Sequence, residues 1–156
     1  MRLKHPVPAL VLGAALLTAS GTIMIGSADA DFPDPFGRPD LDVLKEMIES
    51  GQAADARTDL LIALETTPGD ADVLNLLGYA GRKLGDYDPS RDDYVRALTI
   101  NPRHKGALEY FGELELQTGN LDATRTLLAR LEGICPDGRD ELDDLLDAFA
   151  ERDLLP

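Results

Sequence analysis

The chain has 156 residues, 44% of them hydrophobic and only 5% aromatic, with no tryptophan. That aliphatic supply is enough for one cored domain and excludes a disordered tail, and its Leu- and Ala-rich bias favours an all-α fold. A formal net charge of −14 makes nucleic acid and anionic lipid surfaces poor partners, because both repel such a chain at long range.

Arg2 and Lys4 open the chain, an uncharged apolar or small stretch runs from Val7 to Gly26, and Ser27-Ala28-Asp29-Ala30 closes it. A basic start, an apolar run and a small-x-small site together read as a secretory signal peptide over residues 1–30, cleaved to leave Asp31 first. About 20 apolar residues also suffice to span a bilayer, so an uncleaved anchor in the inner membrane is the alternative. Without residues 1–30, 13 basic residues face 28 acidic ones, a net charge of −15. Acidity of that kind also keeps an exported domain soluble. Residues 31–38, interrupted by Pro33 and Pro35, read as an irregular lead-in.

Beyond the lead-in, Gly51, Gly85 and Gly119 recur at a step of 34 residues, and Pro68, Pro102 and Pro136 keep the same step. A glycine and a proline advancing together mean that one structural unit is reused with equivalent turns. The units span about 37–70, 71–104 and 105–138. Apolar spacing predicts helices near 39–50 and 53–66, 71–84 and 87–99, and 105–117 and 121–133. The first unit keeps Val43, Ala56, Leu60, Ala63 and Leu64 but has Leu44 where the later ones have Gly78 and Gly112. Those two glycines are expected where paired helices approach closely. Gly51, Gly85 and Gly119 are expected to take positive φ at helix ends, and Asp88-Pro89 to supply the N-cap and first-turn proline of the fourth helix.

The last predicted helix runs from Arg139 to about Glu151, within a capping segment 139–156. Leu142, Leu145, Leu146 and Phe149 fall on one face and Asp140, Asp143, Asp144 and Asp147 on the other. Such a helix suits the apolar end of a stack. Cys135 is the only cysteine, which excludes an intramolecular disulfide.

Leu76 to Asp88, Ala97 to Pro102 and Glu109 to Leu114 resemble the tetratricopeptide repeat, and among such proteins the small exported ones of proteobacteria, over roughly residues 40–150. The resemblance implies a helix-turn-helix solenoid of three repeat units plus a C-terminal capping helix. It also implies a non-enzymatic binding scaffold of the cell envelope, with no cofactor and no catalytic residue to carry over. Some of these relatives have a Cys-x-x-x-Cys pair after the third repeat; Cys135 matches its first position and Arg139 stands at the second, so no disulfide or redox role transfers.

The residues offer little chemistry. His104 and Cys135 are 31 positions apart, with His104 at a repeat junction. Asp86 to Ser90 opens like a calcium loop, but Arg91 replaces its required glycine and Ala97 its closing glutamate. The carboxylates of the last helix read as a solvated face. No metal site or catalytic residue is expected.

Repeats of this family line a concave wall mainly with the first helix of each pair. Carried onto this chain, the lining is Lys45 and Ile48, then Asn75, Tyr79, Arg82 and Lys83, then Glu109, Glu113 and Leu116. Lys45, Arg82 and Lys83 would place positive charge in one region of an acidic protein, and Glu109 and Glu113 would temper it. The expected partner is a protein or peptide with an anionic or mixed-charge segment. An acidic cation-binding or buffering domain of the periplasm is the alternative.

Overall fold

The computed structural model describes residues 39–135 and 140–151. The segments 1–30 and 31–38, Pro136, Arg139 and the tail after residue 151 lie outside the described residues. Seven helices and no strand occur among the described residues: α1 Leu41–Glu49, α2 Ala53–Thr66, α3 Ala71–Leu84, α4 Tyr87–Ile100, α5 Lys105–Thr118, α6 Leu121–Ile134 and α7 Asp140–Ala150.

The two helices of each unit start differently. The first helices are capped by side chains: Asp40 Oδ1 accepts from the Asp42 and Val43 N–H groups at 3.0 and 3.3 Å, and Asp70 Oδ1 from Asp72 and Val73 at 2.9 and 3.2 Å. His104 Nδ1 accepts from the Ala107 N–H at 3.2 Å, and its Nε2 lies 3.0 Å from Asp72 Oδ1. The Asp40 cap explains why α1 begins two residues later than the predicted 39. The second helices need no such cap, because each follows a glycine with φ of 89°, 85° or 84° at Gly51, Gly85 and Gly119. The next residue's N–H then reaches back to the preceding helix, Gln52 to Met47 O at 2.8 Å, Asp86 to Gly81 O at 2.9 Å and Asn120 to Glu115 O at 2.8 Å. That is the αL reversal in which the carbonyls of the ending helix find donors.

Asp88 is not the cap of α4. The helix begins at Tyr87, directly after the Gly85 reversal and with Asp86 in the cap position, and this places Asp88 in the first turn, where it pairs with Arg91 at 2.8 Å. Pro89 falls in that same turn, where a missing N–H costs nothing.

α1 packs on α2 and α3, α3 on α2, α4 and α5, and α5 on α4, α6 and α7. The first helices therefore form a row, α1, α3, α5, and α7 takes the next place in it. Two apolar clusters fill the interior, and Leu64 and Tyr110 touch both, so the core is continuous along the units. Cys135 is buried in the cluster beneath α7 as a free thiol.

A Cβ on Gly78 would stand 2.6 Å from the Tyr94 ring of α4, the partner helix, as the spacing predicts. A Cβ on Gly112 would stand 2.7 Å from Leu145 Cδ2, which is on α7. Gly112 thus admits the capping helix and not its own partner α6, a correction to the sequence expectation. On α7, Leu142, Leu145 and Phe149 are buried and Leu146 partly so, while Asp140, Asp143, Asp144 and Asp147 are exposed.

Candidate functional site

The face shared by α3 and α5 is organised around two rings. Tyr79 stacks on Tyr110 with centroids 4.5 Å apart and planes inclined by 16°. The Arg82 guanidinium and the Lys83 ammonium each lie 5.3 Å from the Tyr79 centroid, within cation–π range. Burial, with Tyr110 adding, pushes the Tyr79 hydroxyl up to about 12, so it stays a neutral donor at physiological pH.

Arg82 forms an ion pair with Glu113, the two side chains 11% and 24% exposed. Lys45 is paired with Glu49 at 3.8 Å. The positive region expected from Lys45, Arg82 and Lys83 is therefore largely neutralised by carboxylates one helix or one turn away, and among the three only Lys83 has no ion pair with a described residue.

Five of the nine residues expected to line a groove are buried. Ile48 and Tyr79 belong to the apolar cluster around α1, α2 and α3, Leu116 is buried on α5, and Asn75 and Glu109 are each only 6% exposed. Arg82 and Glu113 are half-buried, and Lys45 and Lys83 are exposed. The physical reason is that neighbouring first helices touch, so residues aimed along the face meet the next helix before they meet solvent. Asn75 presses on Gly106 of α5, where a Cβ would stand 3.2 Å from the Asn75 Nδ2, and among the described residues its Oδ1 has no hydrogen-bond partner; nor does Arg82 Nε.

Glu109 has an unusual electrostatic position. Burial first, then the negative charges of Glu113, Asp144 and Glu141, push its carboxyl up to about 8, with Lys45 acting against them. The sequence reading had Glu109 and Glu113 but neither Tyr110 nor the α7 carboxylates. Glu49 and Gln117 were also missed, although both stand one repeat period from Lys83 and so occupy its equivalent position. Glu141 and Asp144 had no comparable signal, because their place here depends on how α7 docks.

Two clefts open on this row of helices. One, of about 400 Å³, is lined by Pro39, Leu41, Asp42, Lys45, Asp72 and Leu76. The other, of about 270 Å³, lies where α3, α5 and the end of α7 meet and is lined by Arg82, Glu113, Leu116, Gln117, Ala148 and Glu151. Among the described residues no helix is long and apolar enough to cross a membrane.

The tetratricopeptide repeat sequence model matches residues 48–102 and 82–139. No curated protein matches the chain. Among solved structures, the type III secretion chaperone SycD of Yersinia enterocolitica, in complex with a peptide of the translocator YopD, is 16% identical, with a TM-score of 0.60 over 72% of this chain and 91% of that one. The first repeat domain of Spaghetti (RPAP3), bound to the HSP90 peptide SRMEEVD, is 15% identical, with a TM-score of 0.60 over 75% and 96%. MamA is 19% identical, with a TM-score of 0.60 over 73% and 67%. At these identities the likeness is one of fold.

Proposed function

We propose, from the premise that this chain belongs to the tetratricopeptide repeat family, that it is a non-enzymatic scaffold of the cell envelope. It holds an extended segment of another protein along the row of first helices. The continuous row of first helices α1, α3 and α5, with clefts opening on it between α1 and α3 and between α3, α5 and α7, carries this reading. The stacked Tyr79 and Tyr110 and the pairing of Arg82 with Glu113 beside them favour a segment of mixed charge. The peptides held by SycD and by Spaghetti on the same fold support a peptide occupant.

The envelope location rests on Arg2, Lys4, the uncharged run and Ala28-Asp29-Ala30. It divides the chain into a signal peptide of residues 1–30, a lead-in of 31–38, three repeat units to residue 138 and a capping segment of 139–156. N-terminal sequencing of protein from the envelope is expected to read Asp31-Phe32-Pro33, and an intact Met1 in the membrane fraction would replace cleavage by anchoring.

Photo-crosslinking in cells tests the face. A crosslinking residue at Lys45 or Lys83 is expected to capture a partner, whereas one at Leu61 or Val95, exposed on the second helices, is expected to capture none. The reverse pattern would move the binding face to the second helices.

A further inference from the structure

The first helix of the third unit is capped by an imidazole where the preceding unit uses a carboxylate. His104 caps α5 as Asp70 caps α3. An aspartate accepts N–H donors in its charged form, whereas an imidazole accepts only through an unprotonated nitrogen. His104 Nδ1 accepts the Ala107 N–H at 3.2 Å, which fixes the proton of the neutral ring on Nε2. Histidine is also the side chain whose charge changes between about pH 5 and 8. The start of α5 therefore depends on a lone pair that a proton can take.

The ring touches α3 at two places. It is 11% exposed, and its Nε2 lies 3.0 Å from Asp72 Oδ1, without a directed hydrogen bond among the described residues. The second place is at Gly106. A Cβ there would stand 3.2 Å from Asn75 Nδ2 and 3.7 and 3.9 Å from His104 Cε1 and Nδ1, so the missing side chain lets the amide and the ring edge approach. Asn75 is 6% exposed, and its Oδ1 finds no donor among the described residues. A buried acceptor in want of a donor thus lies close to the ring edge that gains one on protonation.

Other charges reach this corner less directly. Arg103 and Lys105 flank His104 in the chain, and Arg130 of α6 donates to the Pro102 carbonyl at 3.1 Å. Arg103 and Arg130 are exposed and screened by water and salt. On the α4 side, Thr99, Ile100 and Asn101 at the helix end are uncharged. Asp42 and Lys45 of α1 share the 400 Å³ cleft with Asp72. Asp72 is the carboxylate in ion-pair contact with the ring.

We propose that His104 is a proton-operated joint between the second and third units. Neutral, it caps α5 through Nδ1. Protonated, it releases the Ala107 N–H, turns its new Nδ1–H to Asn75 Oδ1 and keeps its Nε2–H on Asp72. α5 then loses its cap and gains two charge-assisted ties to α3. Asp72 is also a wall of the 400 Å³ cleft, and an imidazolium beside it lowers the negative charge that this wall presents. That consequence for binding rests on the scaffold reading above, whereas the joint itself does not.

The test needs no ligand, so its failure leaves the scaffold reading standing. Amide and side-chain NMR signals of the isotope-labelled full chain are followed from about pH 8 to 5. Val73 is the internal control, because its N–H holds the same position in α3 and is capped by Asp70 at 3.2 Å. The Ala107 amide and the Asn75 side-chain amide are expected to shift together with the His104 Cε1–H signal. Ala107 exchange relative to Val73 is expected to rise about fivefold, the usual weight of a helix cap. His104→Asp, which caps without that proton, is expected to abolish both shifts. A still Ala107 amide while His104 titrates, or a His104 that keeps one charge state throughout, would overturn the joint. Movement of Ala107 without Asn75 would overturn the tie to α3, and the same shifts in His104→Asp would assign the step to another group. Should His104→Asp fail to fold, the comparison of Ala107 with Val73 inside the wild-type chain decides alone.

Discussion

The Tyr94 ring of α4 occupies the space that a Cβ on Gly78 of α3 would need, its Cε1 only 2.6 Å from that point. Tyr94 is fully buried and stacks on Phe111 of the next unit with centroids 5.7 Å apart, so the ring has no room to retreat. Overpacking of this kind costs about 1–3 kcal/mol, against which replacing a helical glycine by valine returns at most about 0.5 kcal/mol. Gly78→Val is therefore expected to lower the denaturation midpoint clearly, with Gly78→Ala between it and wild type. A midpoint within error of wild type would remove the close contact from the repeat.

Glu109 gives the fold a pH dependence of definite sign. Its folded pKa, about 8, stands above the ordinary carboxylate value of 4.5, so between those values the folded state holds a proton that the unfolded state has lost. Stability then falls as pH rises from about 4.5 to 8 and levels off beyond, at a steepest slope of about 1.4 kcal/mol per unit. Other carboxylates titrate too, so the measurement is the difference in unfolding free energy between wild type and Glu109→Gln. That difference is expected to move steadily in favour of Glu109→Gln from pH 5 to 8, and a flat difference would show that the carboxyl is not held neutral.

Much of the fold was legible in local signals. The step of 34 residues from Gly51 to Gly85 to Gly119 located every helix pair, because a positive-φ reversal leaves a glycine in the chain wherever it occurs. The start of α1 slipped because Asp40 caps it, whereas α4 begins at the predicted 87 but with Asp86, not Asp88, in the cap position. The site was legible in position but not in state. Asn75 and Glu109 are one repeat period apart and were both named, yet their burial follows from contact between successive first helices and, for Glu109, from α7. The pairing of Arg82 with Glu113, 31 positions away, left no periodic trace, so counting cations overstated the positive character of the face.

Docking of α7 through Gly112 can be separated from the stability of the repeats. A side chain at Gly112 meets the Leu145 methyl groups at 2.7 and 2.9 Å, and these sit at the end of a flexible side chain on the last described helix. Gly112→Val is therefore expected to loosen α7 and leave α3 and α4 in place, seen as faster amide exchange in α7 alone. Leu145→Ala, which empties a fully buried position, is expected to cost about 2–5 kcal/mol by itself. The double variant is expected to lose less than the sum of the two, since the added valine partly fills the space left by the leucine. Strict additivity would place Gly112 away from Leu145.

Arg82 and Lys83 are adjacent in the chain and equally distant from the Tyr79 ring, yet their substitutions are expected to differ. The Arg82 side chain is 11% exposed and bound to Glu113, whereas Lys83 is exposed. Arg82→Ala removes the stem that covers Tyr79 and leaves Glu113 partly buried without its partner, an expected loss of about 1–3 kcal/mol. Glu113→Ala is expected to cost at least as much, because the guanidinium left behind is the more buried of the two. Lys83→Ala is expected to stay within about 0.5 kcal/mol. Burying a charge pair is expensive in the first place, so Arg82→Met with Glu113→Leu is expected to recover most of the loss. Urea denaturation of the four variants decides the matter: equal effects of Arg82→Ala and Lys83→Ala would mean that the Arg82–Glu113 pair is a surface contact and not a strut between α3 and α5.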